Sequence, residues 1–152
     1  IDFASFPCND HLIKRLVAVV FNKGIVVGTD TQGWVIGCHL NGNVTVRTGI
    51  KDWIGEEYNF THVISQTRAT AHWITVDAAK QEYVLQNFTY GSNIFCQAKN
   101  HANVLMINNA SDGGDLGISV EAGSYMTVVN FMNNGANLLN GEAEIYGDQL
   151  LF

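Results

Sequence analysis

The stretch that decides the reading of the fold is Trp34-Val35-Ile36-Gly37-Cys38-His39-Leu40-Asn41-Gly42-Asn43-Val44-Thr45-Val46-Arg47. Two apolar runs flank Asn41-Gly42, a pair that accepts the positive φ of a type I′ turn, so the segment predicts an antiparallel hairpin. Outward from it, short apolar or alternating runs are separated by further Asn and Gly signals: Asn22-Lys23-Gly24, Asp112-Gly113-Gly114, Asn133-Asn134-Gly135 and Asn140-Gly141. The runs predict strands at 25–29, 34–40, 44–50, 60–66, 72–77, 82–87, 93–98, 104–108, 117–121, 125–131 and 143–146. Residues 12–21 carry both a helical face, with Leu12, Leu16, Val19 and Val20 at suitable spacing, and a β-branched composition; the latter favours strand. No fixed-period repeat stands out. The expectation is an all-β, antiparallel sandwich or jelly-roll-like fold with little or no helix, forming a single domain over residues 1–152.

Composition narrows the class. The chain has 152 residues, 47% hydrophobic and only 14% charged, with fifteen Gly and sixteen Asn. That is too apolar for a disordered chain, yet it falls below the roughly 25% charge usual for a soluble domain. The missing charge predicts that neutral polar turns wet part of the surface and that another part is buried against another chain. Net charge is −6 with the basic residues scattered, which argues against nucleic acid as a partner. No run approaches the length of a membrane span. A chain beginning at Ile1 is expected to be a processed product or an excised fragment.

Chemistry-bearing residues are sparse. The three cysteines, Cys8, Cys38 and Cys96, are widely spaced with no paired histidines nearby and read as buried free thiols. No histidine lies within four residues of another, so no metal site and no cofactor is expected. His39 or His62, Asp77 and Cys96 can be ordered as a cysteine-protease triad, but Ile94-Phe95-Cys96-Gln97-Ala98 lacks the flanking glycines that shape an oxyanion hole, and no enzyme is expected. Asp112 and Asp115 in their glycine turn fall short of a calcium loop. The ligand-binding candidates are Trp53, Asp52, Glu56 and Tyr58, where an indole beside charged groups resembles a carbohydrate subsite in composition.

The second half carries a cadence of its own. Ile74-Thr75-Val76-Asp77, Tyr83-Val84-Leu85, Asn103 to Ala110, Gly117 to Asn130 with Ala122-Gly123-Ser124, and Asn137-Leu138-Leu139-Asn140-Gly141 follow one another. Over about residues 75–141 this texture resembles the C-terminal tip modules of bacteriophage tail fibres, tail needles and related viral attachment proteins. The resemblance implies a trimeric β-sandwich knob at a virion surface, or an extracellular one, that binds a cell-surface glycan or protein, with residues 1–10 an N-terminal extension from a stalk. It makes Trp34, Met126, Phe131 and Met132 candidates for the contact between copies. A stand-alone carbohydrate-binding lectin is the alternative, and a viral chymotrypsin-like cysteine protease a more distant one.

Overall fold

A computed structural model describes residues 1–3, 5–6, 8–42, 44 and 60–147. Its strands are β1 (His11–Lys14), β2 (Val17–Ala18), β3 (Lys23–Gly28), β4 (Gln32–Ile36), β5 (His39–Asn41), β6 (His72–Asp77), β7 (Gln81–Leu85), β8 (Phe88–Tyr90), β9 (Ile94–Lys99), β10 (Asn103–Asp112), β11 (Leu116–Val120), β12 (Tyr125–Asn134), β13 (Asn137–Asn140) and β14 (Glu144–Tyr146), and the helix α1 (Phe60–Thr70) lies between β5 and β6. They form a nine-stranded and a five-stranded sheet, and among the described residues every strand pair is parallel.

The antiparallel sandwich expected from the sequence is therefore overturned. Each strand pairs with a strand one full turn of chain away: Val104 lies opposite Met126, and Cys96 opposite Ile118. The separation is 22 residues through most of the coil and 49 across the insertion that contains α1; it shortens to 21 between β11 and β13 and to 17 between β12 and β14. The chain winds as a coil whose rungs stack directly on one another, a parallel β-helix. A 22-residue repeat thus exists where the sequence reading found none.

Apart from Asn22-Lys23-Gly24, whose last two residues lie within β3, the Asn and Gly signals mark corners of the coil rather than reversals. Within each rung the first corner falls at Arg15, Gly37, Gln86, Asn108 and Asn130, all in the left-handed region with φ of 51–62°. The run 34–40 is consequently divided at Gly37 into β4 and β5. Both hydrogen-bonding edges of β5 are occupied by β2 and β8, so the predicted hairpin has no place; residues 45–50 of its second arm lie outside the described residues. Residues 12–21 fall on β1 and β2, in line with the strand reading. Residues 60–66, expected as strand, belong to α1. That helix buries Val63 and Thr67, and Ile64 covers the glycines at another corner, where a Cβ on Gly42 would lie 2.8 Å from Ile64 Cδ1. Near the N-terminus, Asp2 bridges Val26 in parallel, so residues 1–3 lie against β3.

Inside the coil, equivalent positions of successive rungs stack into columns. Ile13, Val35, Val84, Met106, Val128 and Ile145 form one, and Ile25, Ile74, Cys96, Ile118 and Leu139 face it from the five-stranded sheet. Most of these side chains are fully buried, so the interior is a packed aliphatic core. A polar column interrupts it. At the first corner Asn87 and Asn109 point inward. Cys38 N–H donates to Asn87 Oδ1 at 2.8 Å and Asn87 N–H to Asn109 Oδ1 at 2.8 Å, while the two side-chain amides donate to the Val35 and Val84 carbonyls at 2.9 and 2.7 Å. These bonds satisfy backbone groups that the turn takes out of the sheet ladder.

Candidate functional site

With the interior packed, the outer faces are what the coil presents to its surroundings, and alternation along each strand fixes what they display. On the nine-stranded sheet, one outward column runs Leu12, Trp34, Tyr83, Leu105, Thr127, Glu144, and the next Lys14, Ile36, Leu85, Ile107, Val129, Tyr146. Beyond the first corner a third runs Val17, His39, Phe88, Ala110, Met132. Trp34 stacks on Tyr83 with centroids 5.6 Å apart and planes 10° from parallel, and His39 meets Phe88 edge-on at 4.8 Å. Between the end rungs the first two columns carry no charge.

The five-stranded sheet shows a polar exterior. Lys23, His72, Gln97, Asp77 and Lys99 stand on it, and Lys99 Nζ lies 3.0 Å from Asp77 Oδ2. Burial raises the Asp77 carboxyl, but the Asn100 amide and the Lys99 ammonium outweigh it and leave the group below its ordinary value. At the corner entering this sheet, a shallow groove of about 430 Å³ is walled by Asn93, Asp115, Asn137 and Asn140 over Ile94, Leu116 and Leu139. Its wall is braced. Arg68 of α1 donates through Nε and Nη2 to Asp115 Oδ1 at 3.0 and 2.6 Å, Asn93 Nδ2 donates to the Arg68 carbonyl at 2.8 Å, and Asn137 Nδ2 to the Asp115 carbonyl at 3.3 Å.

Of the residues singled out from the sequence, Trp53, Asp52, Glu56 and Tyr58 lie outside the described residues. Trp34 and Met132 are half-buried on the outer face of the nine-stranded sheet, but Met126 and Phe131 point into the coil with 1% exposure each. Phe131 stacks there on Phe95, so neither offers surface to another chain. The structure separates the triad residues: Cys96 is sealed in the core, whereas His39 and His62 are exposed. Burial, and next the Glu82 charge, push the Cys96 thiol far up. Cys38 is buried as expected, while Cys8 is exposed. Asp112 accepts from Asn134 Nδ2 at 2.8 Å, and Asp115 is held by Arg68.

Sequence reasoning missed a buried polar pair. His11, Gly33 and Glu82 occupy one inward column. Gly33 leaves a gap through which His11 Nε2 reaches Glu82 Oε1 at 3.1 Å; a Cβ there would lie 2.3 Å from the imidazole. His11 Nδ1–H donates to the Cys8 carbonyl at 2.8 Å, and Glu82 Oε2 has no hydrogen-bond partner among the described residues. Burial pushes the Glu82 carboxyl up to about 7 against the pull of His11. The signal that could have exposed the pair is a lone Glu at the inward position of Glu82-Tyr83-Val84, one rung-length from Val104, but it needs the 22-residue period to be seen.

The chain matches no protein-family model, no curated protein and no solved structure.

Proposed function

We propose that this domain is a non-enzymatic attachment module of a viral or phage-like fibre, one that recognises a cell-surface glycan or protein through the groove at the edge of its five-stranded sheet. The observation that carries the reading is the braced ladder of Asn93, Asp115 and Asn137 over an apolar floor. Rungs of a parallel sheet repeat at about 4.8 Å; Asn137 lies opposite Leu116, one position along from Asp115, so hydrogen-bonding groups stand in a fixed, staggered row that an extended polar polymer could follow. The apolar floor can meet its less polar faces. Stacked rungs also hold the row rigid, which keeps the ordering cost of binding low. The resemblance of residues 75–141 to fibre and needle tips supports the same reading, and presentation in several copies would raise the avidity of a shallow site.

The test is binding of the purified protein to a glycan array and to whole cells, with Asn137→Ala and Arg68→Ala compared with the unaltered chain. Each substitution is expected to weaken binding about tenfold, the loss of one or two hydrogen bonds, without lowering the melting temperature by more than a few degrees. Undiminished binding by both variants would sink the groove as the recognition site.

A further inference from the structure

We infer that the outer face of the nine-stranded sheet is the surface on which copies of this chain associate. A sheet face that meets water ordinarily alternates to polar residues. Here two adjacent outward columns of the inner rungs carry Trp34, Tyr83, Leu85, Leu105, Ile107 and Val129 with Thr127 as their one polar member, and Gln32, Gln81 and Asn103 stand along one margin, while the five-stranded sheet on the same coil displays Lys, His, Gln and Asp. The five-stranded sheet adds Ile94 and Leu116 on the floor of its groove, so the broader apolar exterior belongs to the nine-stranded sheet.

Its dimensions suit a partner of the same kind. Six strands at about 4.8 Å and two outward columns, each about 6.6 Å wide along the strands, give roughly 400 Å², and the column from Val17 to Met132 adds about 200 Å². The sum of about 600 Å² lies at the upper limit of patches left bare on monomers and approaches the roughly 800 Å² that each side of a stable complex buries. The first two columns carry charge only at their ends, on Lys14 and Glu144, so laying one copy on another buries no unpaired charge from the inner rungs. That self-compatibility selects a second copy over a partner of opposite charge, for which the face offers no complement. The 14% charge of the chain agrees with a molecule that hides one face in this way.

This inference deepens the attachment reading, because association would leave the groove of the other sheet outward, but the two fail separately. Light scattering at tens of micromolar protein is expected to give two or three times the 16.7 kDa of one chain. Ile107→Glu, whose outward side chain leaves the interior intact, is expected to give a single-chain mass with an unchanged circular dichroism spectrum. Thr127→Arg on the same face serves should Ile107→Glu fail to fold. Glycan or cell binding by the resulting single chains, weakened by lost avidity but still sensitive to Asn137→Ala, would separate assembly from recognition. A single-chain mass for the unaltered protein, or an unchanged multiple in both variants, would overturn the inference.

Discussion

At the scale of the residue, the most unusual choice in this chain is Glu82. A carboxyl group in an aliphatic core is costly when ionised, and the column around it offers His11 from β1 and the Cys96 thiol from the opposite sheet. With Nδ1–H committed to the Cys8 carbonyl, His11 can accept at Nε2 from the protonated acid or, once protonated itself, donate to the carboxylate. The folded pKa of Glu82, about 7, lies above its ordinary 4.5. Its contribution to stability is therefore fully present below about pH 4.5 and is lost as the pH rises through about 7, a swing on the order of 3 kcal/mol. Glu82→Gln, which keeps a donor toward His11 but cannot ionise, should flatten the fall of the melting temperature between pH 5 and pH 8. An equal slope in both proteins would show that the pH dependence arises elsewhere.

At the scale of the element, the corners explain both what the sequence discloses and what it hides. His72–Asp77 emerges from the structure with the bounds its alternation predicts, and the glycines at 113 and 135 do mark turns, whereas Gly24 lies within β3. Strand direction is not legible in the same way, because period-two alternation and Asn-Gly signals are shared by a hairpin and by the corner of a coil. The repeat is hidden for two reasons. Columns conserve the kind of side chain and not its identity, as Ile13, Val35, Val84, Met106 and Val128 show, and the 49-residue step from Cys38 to Asn87 breaks the 22-residue period early. The groove was equally hidden, since Asn93, Asp115 and Asn137 become neighbours only once that period is known. The asparagine ladder is the element on which the corner depends. Asn109→Ala removes the acceptor for the Asn87 amide and strands a buried backbone N–H, at a cost of about 2–4 kcal/mol. Asn108→Gly, one residue earlier at an exposed left-handed position, should change stability by less than about 1 kcal/mol, because glycine adopts φ of 53° freely. Denaturant titration of both variants measures the contrast, and similar losses would refute the inward ladder as its source.

At the scale of the whole molecule, a coil of stacked rungs has no central core shared by all its parts. Each rung touches its neighbours, so stability is close to a sum of rung and interface contributions, and a terminal rung lacks one of its two neighbours. Strands β7 and β10 are each hydrogen-bonded on both sides and enclose Val84, Val104 and Met106 at 1% exposure or less. By contrast, β14 pairs only with β12 among the described residues, and its inward Ile145 is merely half-buried. The opposite end differs, for although among the described residues β1 pairs only with β4, His11 is tied through the Gly33 gap to a strand two positions further in. Local opening should therefore be graded and asymmetric. Amide hydrogen exchange is expected to be slowest at Val84 and Met106, roughly 100-fold or more faster at Ile145, and intermediate at Ile13, with Glu82→Ala moving Ile13 toward the fast end. Exchange that is uniform along the coil would mean that the chain opens as one cooperative unit, and that the link from His11 to Glu82 does not secure its first rung.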